Sequence, residues 1–232
     1  MADDTAVEWF CSTLVPDENF RTKGVADKSA LWKKKVLTIG FLQGSAQLQD
    51  RVFKTARRWT DPTEGGANLQ FERATDASSA DIRIAFDPAS GSWSYVGTDA
   101  VKSAGKGKPT MNLGWATEGA PEKTFASVVL HEFGHALGLL HEHNHPLAEL
   151  KWKKDVVYAD LGGPPNNWSK KTIDFNVFES YPPGRVVMSP EMDRVSIMIY
   201  TIPARWLDGQ PGVMPSDRLS KEDIRFIRQL YK

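Results

Sequence analysis

Residues 129–141, Val-Leu-His-Glu-Phe-Gly-His-Ala-Leu-Gly-Leu-Leu-His, constrain the chain more than any other stretch. His131 and His135 are four residues apart, about 40° of rotation and one turn of rise on an α-helix, so both rings leave the same face. Two imidazoles so placed can share one metal ion, and neutral imidazole nitrogen suits zinc. Glu132 lies about 100° round from His131, beside such a metal rather than on it, where a carboxylate can take a proton from a bound water. His141 follows His135 by six residues and would point about 240° away on a continued helix. It joins the pair only if the helix stops and the chain turns back. Gly138 is where that can happen, because glycine accepts the positive φ that ends a helix.

Such a helix needs a domain to hold it. The 232 residues are enough for one large domain, or a pair of small subdomains, with a real core. Net charge is zero, so no global basic field attracts nucleic acid or an anionic membrane. Cys11 is the single cysteine, which rules out an intrachain disulfide and the disulfide-stapled secreted classes. No apolar stretch is long enough to span a bilayer, and the acidic start Met-Ala-Asp-Asp-Thr-Ala does not read as a signal peptide.

Periodicity places the remaining elements. Residues 1–34 read as an N-terminal arm and 35–232 as the main domain, with an N-terminal lobe to about 138 and a C-terminal lobe from about 139. Alternation predicts strands at 35–42 and 81–86, the latter with Ile82, Ile84 and Phe86 on one side. Shorter strands are expected at 69–73, 92–98 and 110–115. Ser45 can cap a helix that buries Leu48, Val52, Ala56 and Trp59. The histidine helix should run from about 124 to 137. Beyond His141 the Gly/Pro-rich runs at 162–167 and 181–184 predict irregular structure, until Ser220 caps a last helix with Asp223 completing a capping box. The fold class is α+β: a mixed twisted sheet and two long helices in the first lobe, and an irregular second lobe ending in a helix.

Ser-Ile-Met-Ile-Tyr at 196–200 is, taken alone, an apolar run with β character. Beside the histidine motif with Gly138 and His141, it resembles the turn that metzincin zinc metallopeptidases place beneath their metal. The Ser-x-Met-x-Tyr form is similar to that of the astacin and serralysin groups. Glu142 after His141 and the C-terminal helix lean toward astacins, and the Ala-Asp-Ile-Arg-Ile strand at 80–84 toward matrixins and serralysins. The firm likeness covers roughly residues 80–145 and 195–231. The chain departs from typical astacin domains in carrying no disulfide. A long arm also stands before the first strand, where mature astacins tie the glutamate after the third histidine to a free N-terminus.

The resemblance implies a zinc-dependent endopeptidase with one catalytic Zn²⁺ on His131, His135 and His141. Glu132 is then the general base, Tyr200 the oxyanion partner, and Met198 the packing residue of the turn, with Gly138 structural. Its partner is a protein or peptide, lying extended along the 92–98 edge strand. The pocket for the residue after the scissile bond is expected between the histidine helix and 201–206, with Pro203 and Trp206 as an apolar wall. The family favours an extracellular location. Two other readings are a zinc-bound recognition or toxin module and a precursor kept latent by its arm. A thiolate at Cys11, or an acid at Asp3, Asp4 or Asp17, can block a zinc. The cluster Trp-Phe-Cys at 9–11 is instead expected to anchor the arm by burial, away from the metal. His143 and His145 are expected in a wet surface loop.

Overall fold

The sheet is built outward from two strands whose side chains are buried because both faces are covered. The computed structural model describes residues 11, 26–164, 166–180, 186–199 and 201–232. Strands are β1 (Ala26–Asp27), β2 (Val36–Phe41), β3 (Gln70–Arg73), β4 (Ile82–Ala85), β5 (Ser92–Ser94), β6 (Met111–Leu113) and β7 (Val186–Val187). Five of them form one sheet in the order β3-β2-β4-β6-β5. The pairs β2–β3, β2–β4 and β4–β6 are parallel, and β5 closes one edge antiparallel to β6. Central parallel strands are covered on both faces. All of Ile82–Ala85 is accordingly buried, where alternation predicted an exposed side. Arg83 is buried because its guanidinium donates to the Lys108 carbonyl (2.6 Å) and the Ala80 carbonyl (2.8 Å), pinning the neighbouring loop.

The helices are α1 (Ala46–Ala56), α2 (Asp99–Ser103), α3 (Glu122–Ala136), α4 (Lys154–Gly162), α5 (Lys170–Ile173) and α6 (Lys221–Leu230). Ser45 caps α1 by accepting from the Leu48 N–H, and Leu48, Val52, Ala56 and Trp59 are buried as expected. Helix α3 packs against α1 and the β5–β6 end of the sheet. The main core lies between sheet, α1, α3 and α6, with Leu37, Ile39, Trp59, Phe125 and Phe133 fully buried. Residues Ala26, Ala30 and Trp32 are also buried.

The C-terminal part is less irregular than the sequence indicates. Helix α4 and helix α5, which runs on into a π-turn at Asp174–Phe178, enclose a second core around Val157, Leu161, Ile173, Val177 and Trp206. Their periodicity escapes notice because α4 buries only Val157 and Leu161, a single i,i+4 pair. The capping box of α6 is present, with Ser220 and Asp223 bonded reciprocally. Strands β1 and β7 form a separate two-stranded ribbon, and Ala26 also bridges to Leu139 beside the histidine turn. No helix among the described residues is long and apolar enough to cross a membrane.

Candidate active site

Helix α3 is a rigid mount because its C-terminal carbonyls all find donors. The last carbonyls of a helix lack intrahelical partners. Here the His135 carbonyl takes the N–H groups of Gly138 and Gly97, and the Gly134 carbonyl takes that of Leu139. The Ala136 carbonyl takes the Trp32 indole (2.7 Å), and the Leu137 carbonyl takes the Tyr231 hydroxyl (2.7 Å). Gly138 has φ +93°, the left-handed conformation that ends the helix. The chain then turns back and carries His141 to the ring pair.

The three imidazoles converge. Ring centroids are 4.8 Å apart for His131–His135, 4.6 Å for His135–His141 and 5.3 Å for His131–His141. His131 Nδ1 lies 2.8 Å from the Ile197 carbonyl and His135 Nδ1 2.8 Å from the Leu139 carbonyl. A carbonyl only accepts, so each Nδ1 carries the proton and each neutral Nε2 offers a lone pair. His135 Nε2 and His141 Nε2 are 3.1 Å apart. Zinc–nitrogen bonds of about 2.0–2.1 Å place neighbouring donors of a tetrahedron roughly 3.4 Å apart, so this donor set fits zinc. Burial lowers the pKa of His131 to about 4; burial and then the charge of His131 lower His135 to about 3. Both rings are thereby neutral, as ligands must be.

A fourth donor is present. Cys11 Sγ lies with the three histidines in one buried group whose ligand atoms are all within 4.8 Å of one another. Its thiol donates to Glu132 Oε2 at 3.4 Å. This overturns the expectation that Cys11 anchors the arm away from the metal. The burial that a free cysteine favours is met at the site itself, where Cys11 also joins Ile199 and Ile202 in the second core. Burial, then the Glu132 charge, pushes the thiol well above its ordinary pKa, whereas a neighbouring zinc would favour thiolate. Burial likewise raises Glu132 to about 8. Trp9, Phe10, Asp3, Asp4 and Asp17 lie outside the described residues.

Met198 sits in a tight turn packed against α3 at Gly134. A Cβ on Gly134 would collide with Met198 Sδ, so the helix approaches the thioether as closely as glycine permits. The turn is held from α6. Asp223 accepts from the Ser196 hydroxyl (2.6 Å), the Ile197 N–H (2.9 Å) and the Ser220 N–H (2.8 Å). The sequence shows Asp223 only as a helix cap; its second task, fixing the turn whose Ile197 carbonyl orients His131, has no local signal. Tyr200 lies outside the described residues.

Glu142 is buried, accepts from the Asp193 N–H at 2.8 Å, and is raised to about 8 by burial. His143 and His145 are buried rather than in a wet loop. His143 Nε2 meets the Asn176 carbonyl at 2.9 Å and His145 Nε2 the Ser189 carbonyl at 3.1 Å, so elements far along the chain cover both. A pocket of about 240 Å³ adjoins His131 and Glu132, walled by Val128, Ile197, Ile199, Thr201, Pro215 and Trp115. Pro203 and Trp206 are not its wall: the Trp206 indole is bonded to Asp160 in the second core. The expected strand at 92–98 is regular only over Ser92–Ser94, with one further bond from the Tyr95 N–H to the Thr110 carbonyl, before the chain turns at Gly97 to bond the His135 carbonyl of α3.

Three imidazoles converging at the end of a helix that packs on a mixed sheet, with a methionine turn against that helix, are the arrangement of a metzincin-type zinc metallopeptidase. Residues 24–150 match the peptidase family Astacin. The chain belongs to the astacin family and is a metalloendopeptidase. A structure of myroilysin shares 35% identity with a TM-score of 0.82, covering 89% of this chain and 97% of the other. A crystal structure of myroilysin shares 32% identity with a TM-score of 0.69, covering 95% and 90%. High choriolytic enzyme 1, a hatching enzyme zinc-protease from Oryzias latipes (Medaka fish), shares 18% identity with a TM-score of 0.57, covering 88% and 95%, a likeness of fold alone. No curated protein matches the chain.

Proposed function

We propose that His131, His135 and His141 hold one zinc ion and that Glu132 is the general base for hydrolysis of a peptide bond. The observation that carries this is the convergence of His131 and His135, on one helix with Glu132, and His141, brought back by the turn that ends it. Bound zinc supplies a Lewis acid for the scissile carbonyl and lowers the pKa of a water to about 7. Glu132 accepts the proton and returns it to the leaving amine. The substrate adds as a strand to the β5 edge, and its next side chain enters the pocket between Val128 and Pro215. Tyr200 supplies a donor to the oxyanion. Residues 1–34 are an arm before a catalytic domain at 35–232, and the enzyme acts outside the cell, a reading that family resemblance supports. Casein cleavage should be abolished by phenanthroline and restored by zinc; chelator-insensitive cleavage would refute this reading. A catalytically inert recognition module has no use for Glu132.

The position of Cys11 favours a second, compatible reading: the intact chain is latent. Cys11 supplies the fourth donor in the place where a substrate carbonyl must enter, and its thiol occupies the Glu132 carboxyl. Cys11→Ser should raise activity at least about tenfold, since a weak neutral hydroxyl replaces a strong thiolate ligand. Equal activity in the two proteins would leave the open enzyme as the correct description.

A further inference from the structure

His131 and His135 stand on α3, and His141 follows the helix end in extended backbone, φ −67° and ψ 128°. Its ring stacks with His131 at 5.3 Å and 26° and with His143 at 5.2 Å and 27°. His143 is itself clamped. Its Nε2 meets the Asn176 carbonyl at 2.9 Å and, facing an acceptor, carries the proton. Trp152 packs edge-on against its ring at 6.4 Å. The adjacent Asn144 amide donates to the carbonyls of Val177 (3.2 Å) and Glu179 (2.8 Å). All three carbonyls belong to the π-turn or the residue that ends it, and π-turns are uncommon and concentrate at functional sites.

We infer that His143 is a positioning residue that fixes the plane of His141, and that the π-turn at Asp174–Phe178 is the anchor through which the second core holds the third ligand in place. This rests on the proposed three-histidine zinc site. The role needs a ring or its equivalent at 143 with a donor to the Asn176 carbonyl. Glutamine can present an amide nitrogen near the Nε2 position, and leucine fills the space without donating.

The test uses the full chain and reads metal binding rather than turnover. Zinc dissociation constants and the visible spectrum of the cobalt-substituted protein are measured for wild type, His143→Leu, His143→Gln and His141→Ala, together with metal-free melting temperatures. Loss of a stacked aromatic partner of a metal ligand should weaken metal affinity by about 2–10-fold. That loss, with altered cobalt bands, is expected for His143→Leu while its metal-free melting temperature stays near wild type, and His143→Gln should recover most of it. Wild-type zinc affinity and cobalt bands in His143→Leu, with or without a lower melting temperature, would overturn the proposal and leave His143 a packing residue. Wild-type zinc binding by His141→Ala would instead refute the ligand assignment on which it rests.

Discussion

Replacing Asp223 by alanine should cost about 3–5 kcal/mol and weaken the metal centre from a distance. The carboxylate accepts three hydrogen bonds, from the Ser196 hydroxyl, the Ile197 N–H and the Ser220 N–H. A bond to a charged acceptor is worth about 1.5–3 kcal/mol, and a buried donor left unsatisfied costs about 1–3 kcal/mol. The Ser220 N–H starts a helix and can take water, so two donors rather than three bear the full penalty. For a domain of this size each kcal/mol moves the melting temperature about 2–4 °C, which gives a drop on the order of 10 °C. Asparagine is the informative control. Its oxygen can still accept from Ile197 and Ser220, and its amide can donate to Ser196 Oγ, so Asp223→Asn should lose only about 1 kcal/mol. Thermal and urea unfolding measure both variants, and zinc titration should show weaker binding for alanine because the Ile197 carbonyl orients His131. A loss below about 1 kcal/mol for Asp223→Ala would refute the claim that α6 holds the methionine turn.

Two further substitutions probe the same layer. Gly134→Ala drives a Cβ into Met198 Sδ. Overpacking of about 1–3 kcal/mol should outweigh the gain of about 1 kcal/mol in helix propensity, so the melting temperature falls; a rise would show that Met198 yields freely. Tyr200→Phe should lower kcat by about 10²–10³ at unchanged zinc content, and an unaltered kcat would return Tyr200 to a packing role.

What was legible in the sequence is what helix geometry fixes locally. Four-residue spacing puts His131 and His135 on one face, a glycine permits the turn, and Ser45 and Ser220 mark helix starts. What was not legible depends on contacts between distant residues. Cys11 meets Glu132 across 121 positions, and Ser196 meets Asp223 across 27. His143 and His145 read as polar loop residues, yet carbonyls 33 and 44 positions away bury them. The pocket wall went to Pro203 and Trp206 by proximity in sequence, whereas Pro215 returns to the cleft through the Ile202–Val213 bridge.

The most direct test of the catalytic assignment is Glu132→Gln, in the Cys11→Ser background so that latency does not mask the result. The amide keeps the shape of the side chain and does not ligate the metal, but it cannot accept a proton. Zinc content should therefore remain one ion per chain while kcat on a quenched peptide falls by about 10²–10⁴. Activity within a few-fold of the Cys11→Ser parent, at full zinc content, would show that Glu132 is not the base and that the proton leaves by another route.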